Sequence, residues 1–70
     1  MKDELKKIGK NIKRIRVKKG LTQLDLAAEC GMEESNIGRI ENGNTNPTAK
    51  TFLKIAKALN VTLSELVRYK

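Results

Sequence analysis

The sequence predicts an all-α fold, a compact domain of five short helices. Three observations carry that expectation. Apolar residues recur at spacings of 3 and 4 with no stretch of strand-like alternation, Thr-initiated capping patterns open three of the segments, and Gly or Asn closes the first four. The 70 residues suffice for one small domain, which buries only about 60% of the surface of its unfolded chain.

Leu5, Ile8, Ile12 and Ile15 form a helical stripe, with Lys6, Lys7, Lys10, Lys13 and Arg14 on the other faces. This first helix is expected from about Asp3 to Lys18, stopping at a basic last turn followed by Gly20. Thr22-Gln23-Leu24-Asp25 has the Thr-x-x-Asp capping pattern, and Leu24, Ala27 and Ala28 continue the second helix until Gly31. Ile37 and Ile40 mark a third helix from about Glu33 to Asn42, stopped by Gly43. Asn44-Thr45-Asn46-Pro47 reads as a loop, because Pro47 disfavours a helical Asn46. Thr48 caps a fourth helix through Phe52, Leu53, Ile55, Ala56 and Leu59 to Asn60, and the Thr62-Leu63-Ser64-Glu65 box opens a fifth with Leu63, Leu66 and Val67.

Composition narrows the function. Phe52 and Tyr69 are the only aromatic residues, so single-strand binding on stacked rings is disfavoured. With one Cys and no His, a chain cannot assemble a thiolate or imidazole metal site, and cofactor-free acid/base or nucleophilic catalysis loses its usual parts; no enzyme, metal or cofactor is expected. Cys30 follows Ala27 and Ala28 and reads as inert core in a reduced, cytoplasmic setting. There is no apolar run of membrane-spanning length and no apolar stretch near Met1-Lys2-Asp3-Glu4, so neither a membrane span nor a signal peptide is expected.

A formal charge of +7 and a pI near 9.9 favour a polyanionic partner. The distribution is uneven: residues 1–20 hold nine cations and two acids (+7), residues 21–42 one cation and five acids (−4), and residues 43–70 five cations and one acid (+4). The flanks supply attraction, and the acidic middle supplies shape or specificity.

From Gln23 to Asn42 the chain meets the steric needs of two helices crossing steeply. Ala27 is small where they touch, Gly31 accepts the positive φ of a tight turn, and Leu26, Met32, Ile37 and Ile40 are apolar at inward positions. Gly20-Leu21-Thr22-Gln23, Leu26-Ala27, Gly31, Ile37, Ile40-Glu41-Asn42-Gly43 and Asn46-Pro47 together resemble the helix-turn-helix of the Cro and phage-repressor type, the XRE family. The resemblance spans about residues 8–67, and restriction-modification controller proteins are single-domain members of similar length. It implies a five-helix, lambda-repressor-like DNA-binding domain over residues 1–70. The helix-turn-helix unit lies at about 23–42, the third helix enters the major groove of double-stranded DNA, and a homodimer sits on a palindromic operator.

Projected at about 100° per residue, the third helix turns Ile37, Ile40 and Glu41 inward and Ser35, Gly38, Arg39 and Asn42 outward. Arg39 is the one cation between Leu21 and Gly43 and suits bidentate pairing with guanine; the plainer role is a solvated Arg paired with Ser35 or Glu34. Glu34 serves either to accept from cytosine N4 or to favour the positive helix end, and Asn36 is either a DNA contact or a surface amide. Gln23 resembles the family's phosphate-gripping residue, and Asn42, Asn44, Thr45 and Asn46 resemble its phosphate-holding loop, although ordinary turn chemistry accounts for each of these four. Glu41 with Arg16 resembles the family's inward ion pair, a structural role. Glu33, where Ser, Thr or Asp commonly caps, is a departure and a poorer cap.

Leu63, Leu66, Val67 and Tyr69 are many apolar groups for a short terminal helix and predict an isologous homodimer through that helix and Asn60-Val61, with Tyr69 or Leu66 near the axis. The alternative leaves Leu63 and Leu66 in the monomer core. A competing function is an antitoxin-like or other protein-interaction module whose DNA binding is secondary, kept open by the acidic middle. A non-specific basic nucleic-acid binder is a third possibility. No small-molecule ligand is expected.

Overall fold

The structure, a computed structural model, describes residues 2–68, with the side chains of 3–68. All regular structure among them is helical: α1 Lys2–Lys18, α2 Gln23–Cys30, α3 Glu34–Glu41, α4 Ala49–Leu59 and α5 Leu63–Val67. The helix starts follow the capping chemistry of the sequence. Thr22 and Thr62 each accept from the amide three residues on, and Asp25 and Glu65 each accept from the capping residue's own amide, closing two capping boxes. Those hydrogen bonds hold the Asp25 and Glu65 carboxyls below the usual carboxylate range. Thr48 caps α4 through the Thr51 amide.

Helix ends follow one pattern. At Gly31 the amide reaches the Ala28 carbonyl at 3.3 Å and that of Met32 reaches Ala27 at 2.9 Å, the paired bonds of a left-handed terminus. The same pairing ends α1 at Gly20-Leu21, α3 at Gly43-Asn44 and α4 at Asn60-Val61. Asn60 carries the only positive φ of a non-glycine residue among the described residues. The third helix is shorter than expected, Glu34–Glu41 rather than Glu33–Asn42: Glu33 is its extended N-cap and makes no side-chain capping bond. A Glu side chain is too long to fold back on its own amides as Ser or Asp does.

Every helix feeds one aliphatic core. Ile12, Leu26, Ile37, Ile55, Leu59 and Leu66 are completely or almost completely buried, each contributing about 1.5–3 kcal/mol. Ile15, Ala27, Ile40, Ala56 and Cys30 complete it, with Ile8, Leu21, Met32, Phe52, Ala58 and Val61 partly buried against it. Burial pushes the Cys30 thiol up, away from the reactive thiolate. Leu24 and Leu53 continue their helices but point outward, 59% and 53% exposed.

Leu66 corrects the expected dimer geometry. It has no solvent exposure, because α5 packs on α1 and α4 and turns this one side chain into the core, so it cannot lie on a two-fold axis. Leu63 does not complete the core either: it is 36% exposed, and Val67 is half-buried. Tyr69 lies outside the described residues.

Two helices approach closely at Gly9, a residue to which helical periodicity assigns no role. A Cβ there would lie 2.5 Å from the Ile40 carbonyl oxygen and closer still to that of Glu41, so α1 meets the end of α3 backbone to backbone. Neither partner is a flexible side chain that yields. Gly9→Ala is expected to lower stability by about 1–3 kcal/mol, despite the better helix propensity of Ala, as read from the urea midpoint; an unchanged or raised midpoint contradicts this packing.

Candidate nucleic-acid interface

Helices α2 and α3 pack on one another across the Gly31 turn, and Ala27 of α2 is buried, 1% exposed. What orients α3 is a buried polar network. Arg16 of α1 donates from Nε to Glu41 Oε2 at 2.6 Å and from Nη2 to Oε1 at 3.2 Å, a two-point clamp on the last residue of α3. Its Nη1 donates to the Leu21 carbonyl at 2.7 Å, which ties in the segment entering α2. Gln23 Nε2 donates to Glu41 Oε1 at 3.0 Å. Among the described residues no buried side-chain nitrogen or oxygen lacks a partner, so each buried polar atom of this network is hydrogen-bonded.

The outer face of α3 follows the helical projection except at Gly38, expected to point away and instead half-buried against Gln23 of α2. Ile37, Ile40 and Glu41 are buried; Glu34, Ser35, Arg39 and Asn42 are exposed, and Asn36 and Gly38 are half-buried at the margin. Arg39 makes no side-chain hydrogen bond or ion pair with another described residue, so its guanidinium is not spent on Ser35 or Glu34. Gly38 opposes Gln23: a Cβ there would meet the Gln23 amide at 3.7 Å, an ordinary contact.

The α3–α4 loop borders this face. Asn44 and Asn46 are exposed and Thr45 half-buried, and the Asn44 amide donates to the Arg39 carbonyl at 2.9 Å. The loop is pinned where Gly43, φ +72°, rests on the backbone of Lys6; a Cβ there would lie 2.7 Å from Lys6 Cα. Thus the expected residues divide. Ser35, Arg39 and Asn42 face outward on α3, Glu34 is exposed at its start and Asn36 half-buried at its margin, and Asn44, Thr45 and Asn46 lie in the loop that follows, while Gln23 is engaged with Glu41.

Periodicity misses three contacts: the inward bond of Gln23, the Gly9 approach, and Asn11. Asn11 is buried on α1 and donates to the carbonyls of Glu65 at 3.0 Å and Leu66 at 2.7 Å, satisfying the end of α5, while its Oδ1 accepts from Arg14. An Asn beside the apolar stripe was the available signal, since a mid-helix amide turned inward needs buried partners.

A helix-turn-helix family profile, HTH_3, matches residues 12–66. The chain belongs to this family. Within it, the chain is 40% identical over 65 residues to the uncharacterised HTH-type transcriptional regulator y4dJ of Sinorhizobium fredii, covering 93% of this chain and 84% of that one. It is 39% identical to the ImmF control region 10 kDa protein of Bacillus phage phi105, over 87% of this chain and 68% of that one. The crystal structure of the restriction-modification controller protein C.AhdI from Aeromonas hydrophila superposes with a TM-score of 0.90 at 36% identity, covering 91% of this chain and 97% of that chain. The Cro and phage-repressor resemblance and the controller-protein likeness implied by the sequence are both met.

The buried clamp makes a sharp prediction. Glu41→Gln strands the Arg16 charge and is expected to cost about 3–5 kcal/mol in urea unfolding, whereas Arg16→Met combined with Glu41→Leu should recover most of the loss. A double variant as unstable as Glu41→Gln would place the cost in packing instead of charge.

Proposed function

We propose that the chain is a non-enzymatic, sequence-specific transcriptional regulator of double-stranded DNA, built as one helix-turn-helix domain and acting in the cytoplasm without cofactor or small-molecule ligand. The observation that carries it is Arg39: an exposed guanidinium without a side-chain partner among the described residues, in the last turn and on the outer face of a helix clamped from behind by Arg16, Glu41 and Gln23. With α3 in the major groove, Arg39 pairs bidentately with guanine, and Ser35, Asn36 and Asn42 reach neighbouring base edges or phosphates. Glu34, at the helix start, accepts from cytosine N4. Asn44, Thr45 and Asn46 hold the facing phosphate, and Gln23 offers its second amide hydrogen to the backbone while the first stays on Glu41. The basic flanks offset the acidic middle.

The dimer part of the proposal rests on Leu63 and Val67, which share the outward side of α5 and are left without a full apolar cover. Two-fold pairing there sets the recognition helices about 34 Å apart, one turn of DNA, as a palindrome requires.

Selection of bound duplexes from a random library identifies the operator. Arg39→Ala is then expected to relax selectivity at one base pair per half-site, a loss of about 1–3 kcal/mol; unchanged selectivity refutes the assignment. For the dimer, sedimentation equilibrium of the wild type should show association that Leu63→Glu weakens at least about tenfold with circular dichroism unchanged. A wild type that stays monomeric both free and on its operator rejects the two-fold arrangement.

A further inference from the structure

On the side of α1 away from α3 lies an open groove, with α1 as one wall and α5 as the other. Lys10, Arg14 and Lys18 stand about 100° to 180° round α1 from Gly9 and Arg16, the residues that touch α3. Lys7, Lys19 and Arg68 complete the rim. Its one acid among the described residues, Glu65, is bound through its carboxylate to the amide and hydroxyl of Thr62. The floor is largely aliphatic: the edge of Ile15 and the half-buried Val61, beside Asn11, whose amide is spent on the α5 carbonyls, and flanked by the methylene stems of the rim. Asn11 fastens the walls together through the α5 carbonyls, so the groove is held open by the fold.

Concentrated positive charge calls for an anionic occupant, and the form of the groove selects among anions. A duplex seated on α3 does not reach the far side of α1. Single-stranded nucleic acid would want rings to stack on, and among the described residues none lines the groove. A phosphodiester backbone has nothing to set on an aliphatic floor, whereas a helical segment with Asp or Glu beside Leu or Ile matches rim and floor together. Lys7 to Lys18 runs about 16 Å, the length of an 11-residue helix. We propose that the α1–α5 groove docks an acidic amphipathic segment of a partner protein, leaving the α3 face free. Only the statement that a duplex on α3 does not reach the groove rests on the function proposed above.

The probe is a fluorescein-labelled amphipathic peptide of Glu and Leu, about 11 residues long, read by anisotropy against the full chain. The wild type is expected to bind it, more weakly as salt rises. Replacing Lys10, Arg14 and Lys18 by Gln should lower peptide affinity at least about tenfold. The selected duplex, to which these cations lend only long-range attraction, should lose a clearly smaller factor, under about threefold at ~0.15 M salt, where the screening length is about 8 Å. A peptide with Ser in place of Leu should bind at least about threefold more weakly, reporting the floor. Peptide binding that is absent or survives the triple replacement overturns the proposal, as does equal binding of the Ser peptide. A triple variant that loses duplex and peptide equally assigns the ridge to DNA. Failure of the wild type to bind any duplex, with the peptide results as expected, would strike the DNA reading and leave the groove standing.

Discussion

The two-point bond between Arg16 and Glu41 is the constraint on which the rest of the structure depends. α3 has eight residues and an N-cap without a capping bond, and isolated helices shorter than about 12–15 residues are marginal in water. Its orientation therefore comes from tertiary contacts. Two isoleucines hold one face of α3 in the core, but aliphatic contacts are non-directional. The carboxylate of Glu41 supplies direction, gripped by Arg16 from α1 and by Gln23 from α2, while Arg16 also holds the Leu21 carbonyl. Three helices and one connection thus converge on a single side chain, and the outward residues of α3 inherit their positions from it.

That convergence needs backbones to come close. Gly9 lets α1 lie against the last carbonyls of α3, and Gly43 lets the chain leave α3 across Lys6. A ring-poor core has little volume with which to fill a gap, so close approach takes the place of large side chains. Capping serves the same economy: four left-handed helix ends and three Thr caps satisfy backbone groups without tertiary partners, and Asn11 supplies the partner that α5 lacks.

Charge is partitioned by the same architecture. The segment from Leu21 to Asn42 is acidic, yet one of its acids is cancelled inside by Arg16, and Asp25 is turned back on its own helix start. Arg39 is left as the one cation on an otherwise neutral or acidic outer face, which gives it discrimination but little long-range attraction. The attraction resides in α1, whose cations lie on two sides: Lys6 beside the α3–α4 loop, and Lys10, Arg14 and Lys18 facing the α5 groove.

The sequence by itself determined whatever depends on near neighbours along the chain. Helix positions follow from 3-and-4 spacing, starts from Thr22, Thr48 and Thr62, ends from Gly and Asn, and the inward–outward division of α3 from its own periodicity. The shared outer face of Arg39, Ser35 and Asn42 is legible for the same reason, because one helix fixes their relative directions. Arg16 and Glu41 were legible only through the family resemblance, since their 25-residue separation carries no local signal. Tertiary structure alone decided which apolar residues the core accepts, taking Leu66 whole and leaving Leu63, Leu53 and Leu24 outside, because burial depends on what the neighbouring helices present. It also decided that Gln23 turns inward, that Asn11 caps a helix 54 residues away, and that Gly9 is a contact point. Each of these is a distance between elements remote in sequence, and periodicity along one helix contains no information about the distance to another.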